Sequence, residues 1–279
     1  MRLGGALEVA FEQSEFTQID TTLPGDIYQK FGSTSAINYF NDIVTATLDY
    51  DLTDDFFNPT AGSHHKFILE EAGRISTGPL RSIKSSFEKA QYHKIEALSL
   101  WYGDVSNVST AILGFKLRVG GIFRYGKTKD DDVPVPFTRS YYAGGSNSVR
   151  GWSSKQLAVD STKIDFGSNA LMESSLEVRW LPFKRKAPTF FFDLQPLGIV
   201  LFADAGNLWN EFSQIRVSEI ALAFGVGIRY NTPFGPIRID YGLRGYIPSY
   251  SDHQWITQRK FFSETVSEGA LHFGIAHAF

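Results

Sequence analysis

The sequence predicts an all-β fold, a transmembrane antiparallel β-barrel, and three observations carry that prediction. About ten segments alternate bulky apolar side chains with small, polar or charged ones at a period of two. Many of them reach the roughly 9–11 residues that cross a bilayer on a tilt. Short turns and longer loops alternate between them, as expected of a barrel with turns on one side of a membrane and loops on the other.

Composition bounds the function. The 279 residues suffice for one large domain or two small ones. A net charge of −3 and a pI near 6.1 give no basic face, so no nucleic-acid partner is expected. Aromatic content is 15%, with 24 Phe and 12 Tyr, which suits a β protein with much apolar surface. The absence of cysteine rules out disulfides and thiolate metal sites. No run reaches the roughly 18 apolar residues of a membrane-spanning helix. The opening "MRLGGALEVAFE" lacks the layout of a signal peptide and reads as a strand from its third residue. An exported protein needs a signal, so either processing removed it or this chain is part of a longer one.

The segments follow in order. The first lies near 2–13 and is followed by a long connection over 14–36 and a second segment near 37–53. The turn "DDFFNPTAG" (54–62) leads to a segment near 63–74, and a loop over 75–90 to one near 91–103; these two alternate poorly. After the turn "GDVSNVS" (103–109) comes 110–126, where Leu113, Phe115, Leu117 and Val119 alternate with Gly114, Lys116, Arg118 and Gly120. The longest connection, 127–168, leads to 169–181, with Glu173, Glu177 and Arg179 opposite its bulky residues. The connection 182–196 falls on the turn side yet is long. In 197–209, Phe202, Asp204 and Gly206 share one face and Leu201, Ala203 and Ala205 the other, so the aspartate is predicted to point into the lumen.

The connection 210–217 falls on the loop side yet is short. In 218–231, Leu222, Phe224, Val226, Ile228 and Tyr230 alternate with Ala221, Ala223, Gly225, Gly227 and Arg229. "NTPFGP" (231–236) turns the chain into 235–247, where Ile237, Ile239, Tyr241 and Leu243 oppose Arg238, Asp240, Gly242 and Arg244. A loop over 248–268 precedes 269–279, with Leu271, Phe273, Ile275 and Phe279 against His272, Gly274, Ala276 and Ala278. This parity places the C-terminus in the periplasm. Segments of about 12 to 17 residues exceed the usual sandwich strand of about 5–6, which weighs against a soluble β-sandwich or lipocalin-like binding protein.

Several motifs, in order and spacing, resemble those of one family. "YYAGGSNSVRGW" (141–152) resembles the sixth extracellular loop of the BamA/TamA superfamily of outer-membrane assembly and translocation barrels, with its Val/Ile-Arg-Gly-aromatic signature. "SSLEVRW" (174–180) resembles the strand after that loop, and "LFADAGNLW" (201–209) the next one. "GVGIRYNTPFGPIRIDYG" (225–242) looks like the penultimate hairpin, "FGIAHAF" (273–279) like the closing strand, and "FNPTAGSHHKF" (57–67) like an earlier turn.

The resemblance implies that the loop carrying Val149, Arg150, Gly151 and Trp152 folds back into the barrel. Arg150 would meet the inner wall near Asp204 and Glu177, beside Phe202 and Gly206; Gly151 would allow close approach and Trp152 would pack on the wall. Phe273 and Phe279 stand where the family has its closing-strand insertion signal. It also implies sixteen strands, preceded by a signal sequence and periplasmic POTRA repeats. The chain would then be the C-terminal, N-terminally truncated portion of an outer-membrane barrel. Ten strands alone would enclose a narrow lumen with little room for an inserted loop.

The implied function is insertion and assembly, or translocation, of outer-membrane proteins by strand pairing at a lateral seam, in the bacterial outer membrane. The partners would be the lipid bilayer, nascent outer-membrane proteins or a secreted client, POTRA domains and accessory lipoproteins. A two-partner-secretion pore and the anchor of an upstream patatin-like phospholipase are the alternatives. No catalytic residue, metal or cofactor is assigned: no Gly-x-Ser-x-Gly, HExxH, phosphate loop or EF-hand is present. Asp252 and His253 read as solvated loop residues, His64 and His65 fall on opposite strand faces, His272 and His277 lie in the last segment, and "KTKDDD" (127–132) reads as a solvated loop edge.

Overall fold

In the computed structural model, which describes residues 1–16, 37–80, 82, 87–106, 111–129, 135–157, 167–183, 196–232, 235–275 and 277–279, ten strands form one antiparallel sheet in chain order. They are β1 (Arg2–Phe16), β2 (Ile37–Asp51), β3 (Gly62–Ala72), β4 (Tyr92–Asp104), β5 (Ala111–Arg124), β6 (Ala170–Trp180), β7 (Leu197–Trp209), β8 (Ala221–Thr232), β9 (Gly235–Tyr246) and β10 (Ala270–Ile275). Each predicted segment is a strand, and each strand pairs with its sequence neighbour. Among the described residues no pairing joins β1 to β10.

The faces divide as the alternation requires. Leu201, Val226, Ile228, Ile239 and Phe273 point outward and are exposed, whereas Glu177, Asp204, Arg229, Arg238 and Asp240 point inward and are buried. A carboxylate or guanidinium on the outer face would meet hydrocarbon, so the period-two pattern and the sidedness have one physical cause. Val226 lies midway along β8, between Leu201 and Tyr241 of its neighbours. Val226→Arg is therefore expected to destabilise the folded form in lipid by about 2–4 kcal/mol. Urea unfolding in vesicles checks it, with Gly227, on the inner face, left untouched as reference.

The apolar core lies inside, at the loop end. Tyr39, Ile43, Tyr92, Ile122, Leu171, Leu208 and Ile247 of the wall side pack around Tyr141, Val149, Trp152 and Leu157 of the β5–β6 connection. This explains why 91–103 alternates poorly in sequence. On β4 the inner face carries Tyr92, Leu98, Leu100 and Tyr102 because it packs partly against protein. The loop lies against the inner face of a sheet in which, among the described residues, β1 and β10 are not paired with each other.

The last strand departs from expectation. Alternation predicted a strand through Phe279, but β10 ends at Ile275. Phe273 keeps its outward position, 68% exposed, whereas the Phe279 ring turns to the inner side. There it stacks on Tyr102 with centroids 6.4 Å apart and lies beneath the cations of Arg179 (5.3 Å) and Lys116 (5.6 Å). Arg179 Nη2 also donates to the Phe279 carbonyl at 2.9 Å. Together these contacts draw the tail off the β9 ladder.

Candidate functional site

The site is built from one loop and the wall behind it. The loop tip is a tight knot: Gly145 N donates to the Trp152 carbonyl at 2.9 Å, Trp152 N to that of Val149 at 3.2 Å, and Gly144 N to Ser148 Oγ at 2.8 Å. Gly144 and Gly145 take φ of 94° and 106°, the left-handed region that glycine enters without strain. The knot points Arg150 at the inner faces of β6 and β7.

Arg150 is fully buried, and its guanidinium meets two carboxylates, a hydroxyl and an aromatic ring. Its backbone N and its Nε donate to Asp204 Oδ2 at 3.0 and 2.8 Å, and Nη2 donates to Asp204 Oδ1 at 2.7 Å. Nη1 donates to Glu177 Oε1, and Nη2 also to Ser175 Oγ at 3.0 Å. The guanidinium carbon stands 3.6 Å above the centre of the Phe202 ring. Planar, forked and permanently charged, arginine fits this bidentate cradle as lysine cannot. Burial alone would lower its proton affinity. The hydrogen bond and charge of Asp204, then the charges of Glu177 and Asp240, outweigh burial and raise its pKa above the ordinary value.

Strand register assembles the cradle. Ser175 faces Asp204 across the β6–β7 pair and donates to its Oδ1 at 2.5 Å, and Glu177 sits two residues further along opposite Phe202. Glu177 also accepts from Arg179 Nε at 2.9 Å, and Asp240 accepts from Arg229 Nη1 at 2.5 Å and Arg238 Nη1 at 3.2 Å. The result is a buried network in which each carboxylate meets at least one cation, the condition for burying charge without a large penalty.

The glycines set the depth of insertion. A Cβ on Gly242 would lie 2.1 Å from the Arg150 carbonyl oxygen, and one on Gly151 would lie 2.9 Å from Ala223 Cβ. A Cβ on Gly206 would meet Met172 O at 2.7 Å and Val149 Cγ2 at 3.1 Å. Trp152 is buried in the inner core with the Arg244 guanidinium 5.3 Å from its ring. The loop backbone is held from several sides: Lys116 Nζ donates to Asn147 O at 2.6 Å, Arg244 Nε to Gly151 O at 2.9 Å, and His272 Nε2 to Arg150 O at 2.9 Å. Arg139, nearer the loop's root, pairs with Glu12 on β1 and with Glu70 Oε2 on β3 at 3.3 Å.

Val149, Arg150, Gly151 and Trp152 thus come together with Glu177, Phe202, Asp204 and Gly206, while Phe273 points outward and Phe279 meets the cradle through Arg179, which binds Glu177. Sequence reasoning did not place Ser175, Gly242, Arg244 or His272 at the site. Inner-face parity was their available signal. Of the other candidates, His64 Nε2 contacts Asp49 Oδ1 at 2.8 Å on the inner face, and His65 lies on the outer face with Ser99. Asp252 and His253 are exposed in their loop. Residues 130–132 of the acidic run lie outside the described residues.

Ser175→Ala removes a partner from both Asp204 and Arg150 while leaving their mutual contacts. A loss of about 1–2 kcal/mol is expected, read as a lower temperature for the heat-modifiable band shift.

Comparison with known proteins adds an independent finding. A family model described as the Omp85 superfamily domain matches residues 3–279. The outer membrane protein assembly factor BamA of Neisseria meningitidis serogroup B is 26% identical over 195 residues, covering 59% of this chain and 23% of that protein. BamA of Nitratidesulfovibrio vulgaris is 28% identical over 197 residues, covering 69% and 22%. A SAM50-like protein of Schizosaccharomyces pombe is 26% identical over 205 residues, covering 71% and 39%. The chain therefore spans less than a quarter of the two assembly factors and well under half of the third relative. The crystal structure of Haemophilus ducreyi BamA lacking POTRA domains 1–3 shares the fold, with a TM-score of 0.57 at 17% identity over 75% of this chain and 40% of that one.

Proposed function

The chain belongs to the Omp85 superfamily of outer-membrane β-barrels, and from that premise we propose that it serves the insertion and assembly of other outer-membrane proteins. The action is conformational, with no covalent step and no cofactor. A client strand pairs by backbone hydrogen bonds with an exposed sheet edge, and the inserted loop stiffens the wall away from that edge. Its partners are the bilayer and nascent outer-membrane proteins, with POTRA domains and accessory lipoproteins contributed by a longer protein of which this chain is the barrel part.

One observation carries the reading. β10 is only 6 residues long and, among the described residues, pairs with β9 alone. A short closing strand with one free edge offers a template for a client strand, a feature that proteins without such a task usually blunt. Arg139, tied to Glu12 of β1, holds the inserted loop to the opposite end of the sheet.

The test is reconstitution into vesicles, followed by the folding rate of a urea-denatured outer-membrane protein added from outside. Faster folding than in empty vesicles is expected. No acceleration together with a steady ion conductance would overturn the reading in favour of a translocation pore.

A further inference from the structure

At the turn end of the inner wall, below the Arg150 cradle, a cavity of about 30 Å³ is lined by Arg179, Arg229, Asn58, Asn231 and His277 among others. Arg179 is 6% and Arg229 2% exposed. Arg179 spends Nε on Glu177 at 2.9 Å and Nη2 on the Phe279 carbonyl at 2.9 Å, and its Nη1 has no hydrogen-bond partner among the described residues. Arg229 spends Nη1 on Asp240 and on the Ile228 carbonyl. Its Nη2 stands 3.8 Å from Glu177 Oε1, beyond hydrogen-bond reach, and its Nε is likewise unpartnered. His277 Nε2 donates to Asn58 Oδ1, 2.8 Å away, and its Nδ1 has no partner among the described residues.

A guanidinium cannot shed its proton, so these buried N–H groups need an acceptor. The two nearby carboxylates are already engaged: Glu177 by Arg150 and Arg179, Asp240 by Arg229 and Arg238. On the same measure of volume a water needs roughly 10–15 Å³, so the cavity takes one small ion with a water beside it.

We propose that this cavity binds a small monovalent inorganic anion of the halide class, held by Arg179 Nη1 and Arg229 Nε. A water beside the anion donates to His277 Nδ1. The anion fixes the turn ends of β6 and β8 and the chain after β10 to one another. It requires no client, so the site stands or falls independently of the assembly function.

Two measurements on the whole chain in detergent test it. Crystals grown in bromide are expected to show an anomalous peak between Arg179 and Arg229. At constant ionic strength, replacing chloride by gluconate, too large for the cavity, is expected to lower the temperature of the heat-modifiable shift. Arg229→Gln should abolish that salt dependence; should this variant not fold, the bromide peak decides. A map with no peak at that position, or a transition that does not move between the two salts, overturns the proposal.

Discussion

Arg150→Ala is expected to cost about 3–5 kcal/mol of barrel stability and to lower client assembly, while the protein still reaches the membrane. The cost follows from what the truncation leaves behind. Asp204 loses the two side-chain donors, Nε and Nη2, and keeps only the backbone N–H of residue 150 and Ser175, so a buried carboxylate is stranded without its cation. Glu177 fares better, because Arg179 holds it at 2.9 Å and Arg229 lies at 3.8 Å. Membrane insertion survives because the outward apolar face is untouched. Arg150→Lys should recover only part of the loss, since a lysine reaches one oxygen where the guanidinium forks over two. Heat-modifiability of membrane-embedded protein and a client-folding assay read the two effects. Unchanged values in both would remove the cradle from the account.

Gly242→Ala should reproduce much of that phenotype without changing any charge. The added methyl would lie 2.1 Å from the oxygen and 2.6 Å from the carbon of the Arg150 carbonyl, both rigid backbone atoms. Either β9 or the loop must retreat, and overpacking of this kind costs about 1–3 kcal/mol. If the loop retreats, Arg150 is pulled from Asp204, and the double variant with Arg150→Ala should be less damaging than the two costs added. Fully additive costs in the same heat-modifiability assay would show that Gly242 acts by some route other than the loop.

The strands were legible in the sequence because two solvents impose them. Lipid on one face and a polar interior on the other force the alternation seen in Leu201–Asp204 and Ile237–Asp240, and no distant contact is needed to read it. The inward aim of Asp204 and Glu177 follows from the same parity. What parity cannot supply is the path of a loop. Gly242 reads as one more small residue on a polar face, and only the Arg150 carbonyl lying against it makes a side chain costly. His272 drew notice only as an imidazole, and its partner is a backbone oxygen 122 positions away in sequence. Phe279 completed an outward alternation, yet Tyr102, Lys116 and Arg179 from three other strands draw it inward. The mixed inner face of β4 was hard to read for the same reason, since it faces Tyr141 and its neighbours as well as water.

Arg150 and Asp204, acting as a pair, pin the loop to the wall. A double-mutant cycle of Arg150→Ala and Asp204→Ala, read by urea unfolding in vesicles, measures that directly. The two carboxylate oxygens are met by two side-chain donors of Arg150, at 2.8 and 2.7 Å, in a buried site. A coupling energy of about 2 kcal/mol or more is therefore expected, with the double variant little worse than either single one. A coupling near zero, with the two costs simply adding, would contradict it.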